Sequence, residues 1–299
     1  MNPEAGGGNC RRRWTQIERE LAKKIGPFDF EETTAIGHAR MMALDAAQAG
    51  YPFVVACGGD GTIHEVVNGF FDSGVETHPT LGILSMGTGS DLIKTLKIPF
   101  PLREQMKILA AGKTRKMDLG LVEYTNMENR KEKRVFVNIT DAGIGAEVVR
   151  RLCETRGLFG KRLAYLMSTL RSYIAWPARE IRITTDHSEI HWPKKCLAVA
   201  IANGRYFGGG MPIAPTADPV DGYFDIVAIS DLNWTEALLA IPLLYAGQLR
   251  RLRGVQIDRA KKIILDSDER VGLDIDGELI GTLPASFEVL PLSLNVLCP

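Results

Sequence analysis

Two glycine-rich turns, each between a short apolar strand and a helix, constrain the fold of this chain most. Gly58-Gly59-Asp60-Gly61-Thr62 follows the apolar run 53–57, and Gly87-Thr88-Gly89-Ser90-Asp91 follows the apolar run 81–84. A continuous apolar run is typical of a parallel strand buried on both faces. Strand, glycine turn and helix in repetition predict a doubly wound α/β sheet, whose ligands bind at the carboxyl ends of its strands.

The chemistry of the first turn points to a phosphate. Glycines let the backbone approach a phosphate chain closely, and the following helix offers free N–H groups and a positive dipole. Asp60 would repel a phosphate unless a divalent cation, or the proton of an acceptor hydroxyl, lay between them. The alternative is a tight turn with Asp60 as the helix N-cap.

Three further segments carry candidate chemistry. Asn2 to Gly8 is another glycine-rich loop before a helix, or else a flexible terminus. Asp276-Gly277-Glu278 offers a carboxylate as a general base, although Asp-Gly is also typical of a type I′ hairpin turn. Residues 203–223 contain Asp218 and Asp221, which suggest a small cation site or an Asp-capped turn.

The hydrophobic pattern changes near Asp118. Before it, helices are predicted over 10–25 and 37–49, with a strand candidate at 28–33. After it, strands are predicted over 118–124, 134–140, 179–185, 196–202, 223–229, 262–267 and 271–275, with helical stretches near 144–174 and 234–250. We therefore predict an α/β domain over residues 1–117 and a second, mostly antiparallel β domain over 118–283.

Composition excludes several classes of protein. Lys+Arg 36 against Asp+Glu 36 gives no net charge, which disfavours general nucleic-acid binding. The five cysteines are widely spaced without a CxxC pair, so neither a disulfide framework nor a zinc site is predicted. The amino terminus lacks the apolar core of a signal peptide, and a cytoplasmic protein is expected.

Taken in order, these segments resemble the diacylglycerol kinase catalytic domain family, specifically its soluble bacterial lipid kinases. The resemblance covers essentially the whole chain and rests on NPEAG, GGDGTIHE, GTGSD, NGRYFGGG, PTADPVDGYFDIV and DGE…LPASFEVLP. It implies an N-terminal α/β domain similar to those of NAD kinases and phosphofructokinases, and a C-terminal antiparallel β-sandwich. It also implies that residues 284–299 return to the first domain.

The resemblance further implies an ATP-dependent kinase that phosphorylates a lipid alcohol, with diacylglycerol as the default acceptor and phosphatidic acid as the product. Glu278 would accept the proton of the hydroxyl, and Asp60 would orient nucleotide and Mg²⁺. The nucleotide-binding residues would be Asn2, Pro3, Glu4, Ala5, Gly6, Thr33 (or Thr34), Gly59, Asp60, Gly61, Thr62, Ile63, His64, Glu65 and Thr88. A structural Mg²⁺ site would use Asp221 with backbone oxygens of Asp218 and Tyr223.

Some points stay open at this level. The family usually has a strand before the first glycine loop, so either an upstream start or the loss of that strand is expected. Trp176-Pro177, the apolar segment 237–247 and the nearby Arg250, Arg251 and Arg253 are candidates for peripheral contact with the inner membrane face, although 237–247 also suits a core helix. A soluble-metabolite kinase similar to NAD kinases, a non-catalytic nucleotide- or lipid-binding regulator, and a homodimer remain alternatives.

Overall fold

The computed structural model describes residues 1–148, 177–187 and 192–299. Its labelled helices are α1 (Ala5–Ile25), α2 (His38–Gln48), α3 (Asp60–Asp72), α4 (Asp91–Thr95), α5 (Leu102–Ala111) and α6 (Trp234–Tyr245). Its strands are β1 (Phe53–Gly58), β2 (Thr80–Ser85), β3 (Thr114–Asn126), β4 (Lys131–Phe136), β5 (Ile139–Gly143), β6 (Arg179–Glu180), β7 (Arg182–Thr185), β8 (Lys195–Ala202), β9 (Phe224–Ser230), β10 (Val255–Ala260), β11 (Lys262–Asp266), β12 (Gly272–Ile275) and β13 (Glu278–Leu297). These residues form two compact units.

Unit 1 comprises Met1–Asp118 and Pro291–Pro299, and is built on a parallel sheet. β1 pairs with β2 in parallel, and β2 also pairs in parallel with the end of β13 through Leu81 and Val296. Helices α1 and α5 pack with Cys57 and Leu84 in one apolar cluster. Successive side chains of a strand point to opposite faces of the sheet. The second face is therefore available to other helices, as in a doubly wound sheet.

Close packing of α2 on α3 depends on Gly69, where a Cβ would come within 2.2 Å of the Arg40 carbonyl oxygen.

The predicted strand at 28–33 is wrong. This segment makes two ladder-like hydrogen bonds to one residue: the Met1 amino group donates to Glu31 O (2.5 Å), and Thr33 N donates to Met1 O (2.9 Å). On its other side, Asn2 N donates to Cys57 O at the end of β1 (2.8 Å). Met1 and Asn2 therefore lie between β1 and residues 31–33, and two hydrogen bonds do not extend into a ladder.

Unit 2, Leu119–Leu290, is a β-sandwich-like domain of mostly antiparallel strands. One layer has the order β12-β5-β8-β9-β10, and β13 pairs with β12 at its edge. β13 also pairs with β3 and β11, which carry β4 and β7 as their outer neighbours. Phe136, Phe224 and Phe287 meet in the core, with ring centroids 5.2 and 6.4 Å from Phe136.

The predicted strand 134–140 is divided between β4 and β5. The Asp276 carboxylate accepts the N–H groups of Val137, Asn138 and Ile139 at 2.8–3.0 Å. Because these donors bond to a side chain, the backbone ladder stops there and resumes at Ile139.

Two strands were not predicted at all, β10 and the twenty-residue β13. Most of the helical stretch expected near 144–174, and Trp176 with it, lies outside the described residues. Among the residues that are described, no helix has the length and apolar character needed to cross a membrane.

Candidate functional site

The three glycine-rich loops of unit 1 contact one another. Asn2 Nδ2 donates to Thr62 Oγ1 (3.0 Å), which ties the first loop to the start of α3. Gly6 (φ +64°) lies against residue 86, where a Cβ would come within 2.6 Å of the Met86 carbonyl oxygen. The sequence placed the loops at 58–62 and 87–91 at the carboxyl ends of their strands, and the structure brings the amino-terminal loop against Thr62 in the former and against Met86, directly before the latter.

The loop at residues 58–62 and the loop at residues 87–91 contact each other through their backbones. A Cβ on Gly87 would lie 2.6 Å from Gly59 Cα, whereas a Cβ on Gly59 would lie 3.4 Å from Gly87 Cα. Both Met86 N and Gly87 N donate to Gly58 O (2.7 and 3.2 Å). Gly87 is thus required for this approach, and Gly59 is not.

The amino end of α3 is available to an anion. Its N-cap is Gly59, and no side chain caps the helix. The first hydrogen bond of the helix runs from Ile63 N to Gly59 O (3.1 Å), so the N–H groups of Asp60, Gly61 and Thr62 have no intrahelical acceptor. A phosphate is a natural partner for such donors.

Asp60 does not cap its own helix, as the alternative interpretation expected. Its Oδ1 accepts Asp91 N (3.1 Å) and Leu92 N (3.4 Å), so it caps α4. Burial, followed by the charge of Asp91, raises the pKa of the Asp60 carboxyl. This carboxylate orders the glycine turn at residues 87–91. A cation bound beside it would lower its raised pKa.

Glu65 plays the same part for α2. Its Oε1 accepts Gly37 N (2.9 Å) and its Oε2 accepts Ala39 N (3.0 Å). Both oxygens hold a helix start, so Glu65 would act on the nucleotide through the placement of α2.

The other nucleotide-binding candidates differ in accessibility. Two of them are exposed, Thr88 and Glu4. Six are partly buried: Asn2, Gly6, Thr33, Gly59, Asp60 and Gly61. Five are buried: Pro3, Ala5, Thr62, Ile63 and His64. Of the two threonine candidates, Thr34 is engaged by His38 Nδ1 through both its N–H and its hydroxyl (3.1 and 3.0 Å). Thr33 carries no such side-chain contact with His38, which favours it as the nucleotide contact.

Glu278 begins β13 directly after a two-residue hairpin. Asp276 (φ +49°) and Gly277 (φ +91°) both have left-handed backbones, and Ile275 pairs with Glu278. This is the type I′ turn that Asp-Gly favours. Glu278 lies 3.7 Å from the Arg134 guanidinium and keeps about a third of its side chain exposed (36%), so it is accessible to a ligand.

The magnesium ligands implied in unit 2 already have other partners. Asp221 forms an ion pair with Arg259 and accepts Tyr223 N (3.1 Å). Arg259 also binds Asp225 Oδ1 (3.0 Å) and lies 5.0 Å from the Tyr223 ring centroid. The carbonyl oxygen of Asp218 accepts Val220 N and Asp221 N (2.8 and 3.3 Å).

In this arrangement the Arg259 guanidinium supplies the positive charge beside Asp221, so a magnesium ion bound there would have to displace it. Among the described residues, no three His, Cys, Asp or Glu side chains are grouped to hold a metal ion.

Sequence reasoning missed two residues. Arg259 lies in β10, which was not predicted as a strand, so nothing in the sequence brought it to Asp221. Gln105 is almost fully buried and joins the end of β2 to the start of α5, since it accepts Ser85 N (2.8 Å) and donates to the Pro99 and Phe100 carbonyl oxygens (3.0 Å each). The signal available in the sequence was that Gln105 is a polar residue on the apolar face of a helix.

The comparisons with known proteins agree with this geometry. A family model described as the diacylglycerol kinase catalytic domain matches residues 1–122, and one described as the YegS C-terminal NAD kinase beta sandwich-like domain matches residues 138–298. A diacylglycerol kinase of Staphylococcus aureus (strain MRSA252) is 27% identical over 302 residues, which cover 100% of this chain and 90% of that protein.

Solved structures share the fold over the full chain. The structure of a diacylglycerol kinase from Bacillus anthracis str. Sterne has a TM-score of 0.72 at 21% identity, covering 100% of this chain and 94% of the other. Another structure from that organism reaches a TM-score of 0.78 at 24% identity, covering 100% and 95%.

Gly87→Ala should destabilise the protein by about 1–3 kcal/mol, because the methyl group overlaps the Gly59 backbone. Gly59→Ala is the matched control, since its methyl group reaches only ordinary contact distance. Urea denaturation measures both free energies of unfolding. Equal losses for the two variants would contradict the asymmetry of this contact.

Arg259→Gln should make the protein responsive to magnesium, because it leaves Asp221 and Asp225 without their cation. We expect Mg²⁺ in place of EDTA, without nucleotide, to raise Tm more in the variant than in the unsubstituted protein. Arg182→Gln, which frees the exposed pair Asp266 and Asp268, controls for unspecific binding to carboxylates. A larger magnesium effect in the unsubstituted protein would contradict the assignment of Arg259.

Proposed function

The chain belongs to the diacylglycerol kinase family and is a lipid kinase, and we propose that it transfers the γ-phosphate of ATP to the hydroxyl of a lipid alcohol, with diacylglycerol as the first candidate. The observation that carries this proposal is the convergence of three glycine-rich loops on the uncapped amino end of α3. Backbone donors there suit a polyphosphate and leave no side chain in its way.

Binding of ATP would depend on backbone groups more than on charged side chains. The N–H groups of Asp60, Gly61 and Thr62 would meet the phosphates, and Asn2 would keep the first loop against Thr62. Magnesium bound to the phosphates neutralises the charge that develops in phosphoryl transfer. Asp60 begins α3 and also holds the start of α4, and we propose that it orients the magnesium-bound nucleotide.

Glu278 is the proposed proton acceptor. Its carboxylate lies 3.7 Å from the Arg134 guanidinium and stays partly exposed, so an acceptor hydroxyl can reach it. Its position on a rigid hairpin, rather than on a long loop, suits a group that must meet the acceptor hydroxyl in a defined orientation.

Glu278→Gln should lower kcat by about 10²–10⁴ while ATP affinity stays unchanged, because only proton transfer is removed. Transfer of labelled γ-phosphate to diacylglycerol in mixed micelles, with Mg²⁺ or EDTA, measures the rate. Monoacylglycerol, ceramide, sphingosine and polyprenol complete the panel and identify the acceptor. Nucleotide titration of the same samples is the control, and normal turnover of the variant would overturn the role of Glu278.

We also propose that α6 helps the enzyme reach its lipid. Ala240, Leu243 and Leu244 pack against the apolar cluster beneath the helix, whereas Leu239 and Tyr245 are exposed. The segment 237–247 thus has a packed face and a free apolar face. Arg250, Arg251 and Arg253 follow it and are exposed, a combination that suits an anionic membrane surface.

Arg250→Glu with Arg253→Glu should weaken binding to anionic vesicles by at least about 30-fold, since each arginine near such a surface contributes about 1 kcal/mol and each new carboxylate is repelled. Co-sedimentation with phosphatidylglycerol-containing vesicles measures this. Arg12→Glu with Arg13→Glu on the exposed face of α1 is the matched control. Equal binding of both double variants would contradict docking through α6.

A further inference from the structure

Two buried aspartates lie on neighbouring strands beside the hairpin that carries Glu278. Asp141 on β5 and Asp274 on β12 are direct partners in the antiparallel register. Only 7% of Asp141 and 4% of Asp274 is exposed. The Cβ atoms of directly opposed residues are about 4.5–5.5 Å apart, so these two carboxyl groups are buried neighbours.

Each carboxyl group has one oxygen left without a hydrogen bond. Asp274 Oδ1 accepts Gly277 N (2.9 Å), and Asp141 accepts the N–H of Ala146. Within the described part of the chain, Asp141 Oδ1 and Asp274 Oδ2 have no partner. A single proton would satisfy both, because one oxygen then donates and the other accepts.

The surroundings disfavour two negative charges here. The charges that act on Asp274 to raise its pKa are the carboxylates of Asp141, Asp276 and Glu278. No ion pair between described residues includes Asp141 or Asp274. Burial raises the pKa of Asp141 to about 7, and burial together with the charge of Asp141 raises that of Asp274.

Two further described neighbours of Asp141 carry no charge, Ala200 and Gly145. Ala200 pairs with Asp141 on its other side, from β8. The backbone of Gly145 closes over the carboxyl group, since a Cβ there would come within 2.2 Å of Asp141 Oδ1.

We propose that Asp141 and Asp274 share one proton, and that this carboxyl–carboxylate pair holds the hairpin that positions Glu278. The link to the hairpin is the hydrogen bond from Gly277 N to Asp274 Oδ1. Both aspartates are positioning residues, because they act on the turn and not on a substrate. The role given to Glu278 rests on the proposed function, whereas proton sharing does not.

The dependence of stability on pH tests proton sharing without any assay of activity. The folded state keeps a proton that the unfolded chain releases near pH 4. The pair therefore favours folding at low pH, and its contribution declines as the pH rises from about 4 through the raised pKa values of the two carboxyl groups. One such proton changes the unfolding equilibrium constant tenfold per pH unit over that window.

Asp141→Asn should remove this dependence, because an amide donates to Asp274 without a proton from solution. Measured by urea denaturation from pH 5 to pH 8, the variant should gain stability relative to the unsubstituted protein as the pH rises. Asp274→Asn should do the same, since its amide oxygen still accepts Gly277 N. The stability of the double variant should depend on pH no less than that of either single variant, because the two side chains share one proton.

Asp268→Asn is the matched control, because Asp268 is exposed on the same unit and Arg182 lowers its pKa. It should leave the pH dependence unchanged above pH 5. Parallel pH profiles for Asp141→Asn and the unsubstituted protein would overturn the proposal. So would independent, additive effects of the two substitutions.

The pH profile of kcat tests the positioning role. Loss of the shared proton should lower kcat at alkaline pH with KM for ATP unchanged, and Asp141→Asn should abolish that decline. If Asp141→Asn flattens the stability profile but not the kcat profile, positioning is overturned and proton sharing stands. Normal turnover of Glu278→Gln would instead overturn the proposed proton acceptor, and the stability results would still decide proton sharing.

Discussion

The contact between the backbones of Gly59 and Gly87 is the constraint on which the rest of the candidate nucleotide site depends. It brings two turns from neighbouring parallel strands closer together than a side chain at position 87 would permit. That closeness lets Asp60, on one turn, reach the N–H groups that start α4 after the other. A short helix of five residues thus obtains the cap that its own N-terminal residues do not supply.

Three carboxylates near the glycine turns and the hairpin serve to hold backbone N–H groups. Asp60, Glu65 and Asp276 each accept at least two of them. Acidic residues next to glycines attract attention as candidate catalysts, yet a carboxylate that organises a turn is equally necessary to the site. Glu278 differs, because a guanidinium is its neighbour and part of its side chain is open to solvent.

The parts of the fold that follow local rules could be read from the sequence. The glycine turns, the strands before them and the Asp-Gly hairpin all follow from backbone conformations that neighbouring residues determine. The break between β4 and β5 could not be predicted, because it depends on Asp276, which is about 138 residues away in the chain. The pairing of Arg259 with Asp221 and of Asp141 with Asp274 likewise depends on strand register, which no single segment encodes.

The path of β13 has a consequence for the order in which the protein can fold during synthesis. Its first residues belong to unit 2, while Val296 pairs with β2 of unit 1. The ribosome must therefore finish the whole of unit 2 before the sheet that carries the glycine turns can acquire its third strand. Until then the edge of β2 can pair with other strands, and the candidate nucleotide site of the nascent chain stays incomplete.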